Sequence, residues 1–283
     1  MSSIPKLAVF DVDGTIATHG IVPSSVIDGM HHLHRKGVVT TVSTGRGYVR
    51  LQEALGDAFE AIISPEALII VEHGTKIVDR DGHTKFGEFF NEREIDHIID
   101  FTRANLGLFK LVWFNPNDIV KTKVQVWCAD QKDVQSEIAK RGHYADVFSS
   151  SIGELEDLLL TQKITNVTLK LKDYVKVENL KLAFTRSDTN VIFQDGNMEF
   201  VKNNTNKGLA IEWIARRMKI PHNDLLVAGN AINDVEMLDV DSKITVLVGP
   251  SEIRQTIKSY LSKNEEIVEV ETPTDLGNHL LNL

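Results

Sequence analysis

The 283-residue chain has an ordinary globular composition, with 42% hydrophobic and 25% charged residues, so neither a disordered nor a fibrous protein is expected. The formal net charge of −9 argues against a nucleic-acid partner, since backbone binding needs clustered Lys and Arg. The single cysteine excludes an internal disulfide. No apolar stretch approaches the roughly 20 residues that span a bilayer, and residues 1–6 lack the basic segment and apolar core that are typical of a signal peptide. We therefore expect a cytoplasmic protein without a membrane partner; its oligomeric state is not predicted.

The first third of the chain alternates strands with helices. The apolar run Leu7–Phe10 predicts a buried strand, and a capped amphipathic helix is expected between Pro23 and Gly37. Further strands are predicted over residues 38–43, 61–63, 68–72 and 76–78. This alternation is typical of a parallel sheet covered by helices.

A compact α+β unit is predicted after residue 84. Its helices are expected over 91–106, 134–140, 153–160 and 177–184. Its strands are expected as two antiparallel pairs with a closing hairpin around Asp195 and Gly196, over 110–114, 123–128, 145–148, 166–171, 191–193 and 198–201. The strand–helix alternation then resumes from Asn206 to the end of the chain. We predict an α/β protein whose Rossmann-like parallel-sheet core (residues 1–83 and 194–283) carries an inserted α+β domain (residues 84–193).

Two carboxylates, Asp11 and Asp13, follow the first strand. Ligands of open α/β sheets bind at the carboxyl ends of the strands, and a divalent cation is a common way to offset the repulsion of neighbouring acids. A carboxylate there can attack phosphorus while a second one moves the proton of the leaving group. The alternative is a solvated Asp-Gly turn.

Other polar groups follow predicted strands or begin helices. Thr44-Gly45-Arg46 offers a hydroxyl and backbone N–H groups to phosphate oxygens. Lys207, at a helix start, can neutralise a phosphate and a nucleophile. Residues 229–234 offer amide and carboxylate oxygens to a metal ion. Each feature alone also has a structural explanation, as turn residues, a solvated lysine or a helix cap.

In this order and spacing, the clusters resemble the motifs of the haloacid dehalogenase superfamily of phosphohydrolases, in particular its Cof-type branch, whose large α+β cap is inserted after the third core strand. Asp11 and Asp13 match the first motif, Thr44 the second, Lys207 the third and residues 229–234 the fourth. The resemblance covers the whole chain.

The resemblance implies a role for each matching residue. Asp11 would be the nucleophile that forms an aspartyl-phosphate, and Asp13 would protonate the leaving alcohol and then activate water. The phosphoryl oxygens would be bound by Thr44, Gly45, Lys207 and Asn233. Magnesium would be held by Asp11, the backbone carbonyl of Asp13, Asn230 and Asp234.

Two positions depart from the family pattern. Asn230 stands where the family usually has Asp, so a ligand keeps its oxygen but loses its charge. At an effective dielectric near 20, unit charges about 4 Å apart interact by roughly 4 kcal/mol, which bounds the loss of cation affinity; Asp234 could compensate. Glu72-His73-Gly74 replaces a common Asn-Gly, so His73 is either a substrate contact or a structural loop residue.

Some conspicuous residues have simpler explanations. Three histidines share one predicted helix without an acidic partner, which favours a surface stripe over a metal site: His31, His32 and His34. Cys128 belongs to the alternating apolar positions of a predicted strand and is expected in the core of the inserted domain. Trp113 and Trp127 lie on adjacent predicted strands, where sheet packing explains them as well as a substrate lid does.

The expected activity is magnesium-dependent hydrolysis of a small phosphomonoester, such as a sugar phosphate, through an aspartyl-phosphate. Two alternatives stay open. The first is a phosphosugar mutase, because some related capped enzymes move phosphate between sugar hydroxyls. The second is a phosphometabolite-binding protein whose turnover is weakened at Asn230.

Overall fold

The computed structural model describes residues 4–117, 123–149, 151–173, 175, 180, 189–194, 196–262 and 266–283. Its strands, in chain order, are β1 (Leu7–Phe10), β2 (Val39–Val42), β3 (Ile69–Val71), β4 (Lys76–Val78), β5 (Thr84–Gly87), β6 (Phe109–Pro116), β7 (Val124–Cys128), β8 (Ala145–Phe148), β9 (Ile164–Leu171), β10 (Thr189–Gln194), β11 (Asn197–Lys202), β12 (Leu225–Gly229), β13 (Ile244–Val248) and β14 (Glu266–Val270). Its α-helices are α1 (Ser24–Arg35), α2 (Tyr48–Leu55), α3 (Phe59–Ile62), α4 (Glu92–Ala104), α5 (Gln131–Arg141), α6 (Ile152–Thr161), α7 (Lys207–Met218), α8 (Val235–Leu238), α9 (Ser251–Lys258) and α10 (Pro273–Leu280).

The chain forms two compact units. Unit 1 comprises residues 1–85 and 206–283, and unit 2 comprises residues 86–205. The sequence placed the second division at 193/194, whereas the division in the structure lies at 205/206. The reason is that β11 pairs antiparallel with β9 and so belongs to the sheet of unit 2.

The sheet of unit 1 is parallel throughout, in the order β14-β13-β12-β1-β2. β1 lies inside the sheet between β12 and β2, and all four of its residues are fully buried, which explains its uninterrupted apolar sequence. Because the strands are parallel, the chain leaves β12, β1 and β2 at the same edge. The predicted α/β fold with a parallel-sheet core is confirmed.

One predicted strand of unit 1 is wrong. Residues 61–63 were expected to be extended, but Phe59–Ile62 is the short helix α3. Phe59 and Ile62 are three positions apart and both buried, which is helical spacing that the short apolar run conceals. The carbonyl of Ile62 accepts a hydrogen bond from the buried Thr40 hydroxyl (2.5 Å). The segment that lies next to β2 is instead β3, through an isolated β-bridge between Ser43 and Ile70.

Unit 2 is built on a mixed sheet in the order β10-β11-β9-β6-β7-β8. The expectation of antiparallel pairs fails at β7 and β8, which pair in parallel because α5 connects them as a crossover. Cys128 is fully buried in unit 2, as predicted, against Leu111 and Val134. The helix expected over 177–184 lies outside the described residues apart from Leu180, and so does Asp195 of the expected hairpin.

The part of the chain that the structure describes contains no candidate for a membrane-spanning helix. None of the helices there combines the length and apolarity needed to cross a bilayer.

Candidate active site

Asp11 lies at the carboxyl edge of the unit 1 sheet, directly after β1. Its backbone N–H donates to the carbonyl of Ala228 in β12 (2.9 Å), so the parallel pairing fixes its position. The side chain is buried, with 6% of the residue exposed. Its Oδ1 accepts from Lys207 Nζ (2.7 Å), and its Oδ2 lies 3.2 Å from the Thr15 hydroxyl.

Lys207 links two carboxylates. It is the first residue of α7, where the side chain of the preceding Asn206 caps the helix by accepting from the N–H of Leu209 (2.8 Å). The Lys207 ammonium is 2% exposed and donates to Asp11 Oδ1 and also to Asp234 Oδ1 (2.6 Å). Two anions and one cation therefore share a buried space, with one negative charge in excess.

Burial and charge act against each other on this cluster. Burial raises the pKa of Asp11, Lys207 opposes it and Asp234 adds to it, with a net rise to about 6. Burial by itself would lower the pKa of Lys207, but its two carboxylate partners outweigh burial and raise that pKa above its usual range. At neutral pH the Asp11 carboxyl is consequently mostly ionised, and the Lys207 ammonium is charged.

Asp234 organises the loop after β12. Its residue is 1% exposed, and its Oδ2 accepts from the backbone N–H groups of Asn230 and Ala231 (both 3.0 Å). Its Oδ1 accepts from Lys207. Both oxygens thus already accept hydrogen bonds from the protein, and the assignment of Asp234 as a metal ligand stays a prediction.

Asp13 is held by an arginine. Arg46 donates from Nε to Asp13 Oδ2 (2.7 Å) and from Nη2 to Asp13 Oδ1 (2.8 Å), and this hydrogen bonding raises the pKa of Arg46. The Asp13 side chain is half exposed, at 51%, so it stays accessible beside the buried Asp11. Such bidentate pairs fix orientation as well as charge.

Thr44, Gly45 and His73 form the neighbouring part of the sheet edge. Thr44 Oγ1 accepts from the N–H of Arg46 (3.1 Å), and the carbonyl of Thr44 accepts from the N–H of His73 (3.1 Å). A Cβ on Gly45 would lie 2.3 Å from Cε1 of the His73 ring, so Gly45 is required by this close packing. Glu72 and His73 both have left-handed backbones (φ 52° and 58°), a conformation that is uncommon in non-glycine residues.

The side-chain amide of Asn230 faces a cluster of oxygens. One of its terminal atoms lies 3.0 Å from the backbone carbonyl oxygen of Asp13, 3.0 Å from Thr15 Oγ1 and 3.3 Å from Asp11 Oδ2. Neighbouring ligands of an octahedral Mg²⁺ at about 2.1 Å are separated by roughly 3.0 Å. With the amide oxygen facing inward, the oxygens of Asp11, Asp13 and Asn230 therefore fit a divalent cation.

The structure brings most of the predicted site residues together. Hydrogen bonds and close contacts, in the case of Thr44 through Arg46, connect six of them: Asp11, Asp13, Thr44, Lys207, Asn230 and Asp234. Gly45 follows Thr44 in the chain and packs against His73. Asn233 lies half-buried in the 3₁₀ turn Ile232–Asp234, next to Asp234. Sequence reasoning gave no role to Thr15 or Arg46. Their positions inside the first two motifs are the signal that could have identified them.

These features define a class of enzyme. A buried carboxylate paired with a lysine, beside an oxygen cluster suited to a cation, lies at the carboxyl edge of a parallel α/β sheet. This arrangement is typical of a hydrolase active site.

The chain belongs to the haloacid dehalogenase-like hydrolase family, in its Cof-type branch, because the family model matches residues 8–266. An HMP-PP phosphatase of Yersinia pseudotuberculosis is 23% identical over 248 residues, which cover 82% of this chain and 80% of that protein. The predicted family is therefore confirmed, and phosphatases stand among its relatives.

Solved structures show the same fold. The phosphatase BT1666 from Bacteroides thetaiotaomicron has a TM-score of 0.72 at 18% identity and covers 99% of this chain and 95% of its own. TM0651 from Thermotoga maritima has a TM-score of 0.74 at 16% identity, covering 99% and 98%. The subclass IIB sugar phosphatase BT4131 has a TM-score of 0.72 at 17% identity, covering 98% of each chain.

Proposed function

We propose that this enzyme is a magnesium-dependent phosphatase that hydrolyses a small phosphomonoester through an aspartyl-phosphate on Asp11. The observation that carries the proposal is the position of the Asp11 carboxylate. One oxygen accepts from the buried Lys207 ammonium (2.7 Å), and the other faces the oxygen cluster around Asn230. A nucleophilic carboxylate needs positive charge beside it before it can approach a phosphate dianion, and here Lys207 would supply it on one side and the cation proposed below on the other.

In the proposed reaction, Asp11 attacks phosphorus, and the bond from phosphorus to the substrate oxygen breaks. Asp13 donates a proton to that leaving oxygen. Asp13 then accepts a proton from water as the water attacks phosphorus, which releases phosphate and restores the Asp11 carboxylate. Asp13 is half exposed beside Asp11, and the oxygen that carries the proton would give up its hydrogen bond from Arg46 while the other oxygen keeps its own.

The remaining residues would position the phosphoryl group. Thr44 through its hydroxyl, Gly45 through its N–H, Asn233 through its amide and Lys207 through its ammonium would bind phosphoryl oxygens. Lys207 cannot leave the anions Asp11 and Asp234 without leaving charge buried, so its place is fixed before substrate arrives.

The cation would be Mg²⁺, held by Asp11 Oδ2, the carbonyl oxygen of Asp13 and Asn230 Oδ1. When bound, it would neutralise negative charge on the phosphoryl oxygens. Asp234 is proposed as a positioning residue for Lys207 and for the 229–234 loop, because its two oxygens already accept three hydrogen bonds.

For the substrate we propose a phosphorylated small metabolite, with a sugar phosphate as the first choice. The relatives named as sugar phosphatase and HMP-PP phosphatase support this class. We also propose that the inserted unit serves as the cap domain that reads the organic part of the substrate, as the resemblance implies.

The test is a panel of phosphorylated sugars, nucleotides and short acids, assayed for phosphate release with Mg²⁺ and with EDTA. We expect Mg²⁺-dependent release that Asp11→Asn reduces by about 10³-fold or more. Asp28→Asn, an exposed change of the same chemistry on α1, is the matched control and should retain full activity. Isomer exchange without phosphate release would favour a mutase. Binding without turnover at saturating Mg²⁺ would favour a metabolite-binding protein.

A further inference from the structure

The neighbours of the inward-facing Asn230 atom are all oxygens. Two of them, Asp11 Oδ2 and the carbonyl oxygen of Asp13, can only accept hydrogen bonds when Asp11 is ionised. The third, Thr15 Oγ1, has a single proton, which it can give to either Asp11 (3.2 Å) or Asn230 (3.0 Å). An inward amide oxygen therefore meets acceptors at 3.0 Å and 3.3 Å, which is repulsive unless a cation lies among them.

A half-turn of the amide exchanges its oxygen and its NH₂ group with almost no change of shape. With the NH₂ group inward, Asn230 donates toward the Asp13 carbonyl (3.0 Å), Thr15 Oγ1 (3.0 Å) and Asp11 Oδ2 (3.3 Å). An amide nitrogen has two protons, so it serves two of these acceptors at a time. The NH₂-inward setting satisfies both ends of the amide without a cation, because the outward end then presents its oxygen to the donors that face it, whereas the oxygen-inward setting requires a cation.

We propose that the Asn230 amide turns over with metal binding. In the metal-free enzyme its NH₂ group bridges Asp11 and the Asp13 carbonyl, and in the loaded enzyme its oxygen is a ligand of the cation. This inference rests on the metal site of the proposed function. It assigns a purpose to the asparagine: the chain contains an internal donor that takes the place of the cation when the cation is absent.

Aspartate at this position would behave differently. A carboxylate has no proton to give to Asp11 at neutral pH, and two carboxylate oxygens 3.3 Å apart repel each other strongly where water is excluded. Lys207 cannot compensate, because its ammonium already serves Asp11 and Asp234. An aspartate site would bind the cation more tightly and would be less stable without it.

The experiment measures thermal unfolding of wild type and Asn230→Asp at pH 7.5, in EDTA and in a series of Mg²⁺ concentrations. In EDTA we expect Asn230→Asp to melt several degrees below wild type. In Mg²⁺ we expect the variant to gain more in melting temperature than wild type, with a Mg²⁺ dissociation constant, measured by calorimetry, about tenfold lower or more. Asn223→Asp, which adds the same charge at an exposed position, is the control and should show neither effect.

A second measurement does not depend on the folding of Asn230→Asp at high temperature. The side-chain NH₂ signals of Asn230 in a ¹⁵N–¹H NMR spectrum can be assigned by their loss in Asn230→Ser. We expect these signals to show hydrogen-bonded protons in EDTA and to shift on addition of Mg²⁺.

The outcomes separate this inference from the proposed function. Equal melting temperatures of wild type and Asn230→Asp in EDTA, or Asn230 NH₂ signals that do not respond to bound Mg²⁺, would overturn the inference while leaving a Mg²⁺-dependent phosphatase in place. If neither protein bound Mg²⁺ at all, the proposed metal site and the inference would both fail.

Discussion

Arg46 orients Asp13, the residue that we propose as the general acid and base. It donates two hydrogen bonds to the Asp13 carboxylate, which would otherwise turn freely at the surface. We predict that Arg46→Ala lowers kcat by about 10- to 100-fold with little change in KM, because a misplaced proton donor slows chemistry more than binding. Steady-state kinetics with the best substrate of the panel measures this effect.

Two further variants sharpen that prediction. Arg46→Lys keeps the charge but not the planar pair of donors, so it should recover only part of the rate. Arg103 makes a similar bidentate pair with Glu156 in unit 2 (3.0 and 2.7 Å), and Arg103→Ala should leave kcat unchanged. A full rate in Arg46→Ala would show that Asp13 needs no such support. A large loss of stability in that variant would assign Arg46 a structural role, since partly exposed pairs contribute about 1 kcal/mol or less.

At the residue scale, the sequence predicted the charged side chains that directly follow a buried strand or begin a helix at the site. Asp11 and Lys207 are 196 positions apart. Asp11 was placed at the sheet edge from the strand that it follows, whereas Lys207 was assigned to the same site by the resemblance to the family. The pairing of Arg46 with Asp13 and the contact of Thr15 with Asn230 were not predicted. Such pairings depend on side-chain directions at the strand ends, which no spacing rule encodes. The hydrogen bonds that Asp234 accepts from Lys207 and from two backbone N–H groups were not predicted either, for the same reason.

At the scale of elements, the turn after β3 holds the start of α7 in place. Gly74 has a φ of 92°, and a Cβ there would lie 2.3 Å from the carbonyl oxygen of Asn206 and 2.8 Å from the backbone nitrogen of Lys207. We predict that Gly74→Ala lowers the free energy of unfolding by about 2–4 kcal/mol, from left-handed strain and from overlap with backbone. Because the overlap falls on the residue that positions Lys207, kcat should fall as well.

Gly37 provides the matched control for Gly74. It is also left-handed, with a φ of 76°, but a Cβ there would meet no atom within 4 Å. Gly37→Ala should therefore lose only about 1 kcal/mol of the free energy of unfolding, with kcat intact. Denaturant unfolding and kinetics on both variants measure the difference. Equal losses in the two would mean that the contact between the β3 turn and α7 contributes nothing to stability.

The elements also show where pattern reasoning succeeds and where it fails. Strands such as β1 and β13 were predicted because they are buried on both faces and carry uninterrupted apolar runs. α3 was missed because a helix of one turn, Phe59–Ile62, shows too little of its period to be told from a strand. The parallel pairing of β7 and β8 was missed because sequence defines the strands but not their partners.

At the scale of the whole molecule, each unit has a hydrophobic core of its own. Phe200 is fully buried in the core of unit 2, and Leu226 is fully buried in the parallel sheet of unit 1. The site residues that make direct contact, from Asp11 to Asp234, all belong to unit 1. A ligand of that site therefore acts on the stability of unit 1 by binding its folded form.

This division predicts two unfolding transitions in calorimetry that respond to different changes. Phe200→Ala should remove about 3–5 kcal/mol from unit 2, and Leu226→Ala about 2–5 kcal/mol from unit 1. Mg²⁺ should raise the transition that Leu226→Ala lowers and should not change the one that Phe200→Ala lowers, because the proposed ligands of the cation all lie in unit 1. A single transition that both substitutions lower and Mg²⁺ raises would show instead that the two units unfold together, with the stability of the site shared by the whole chain.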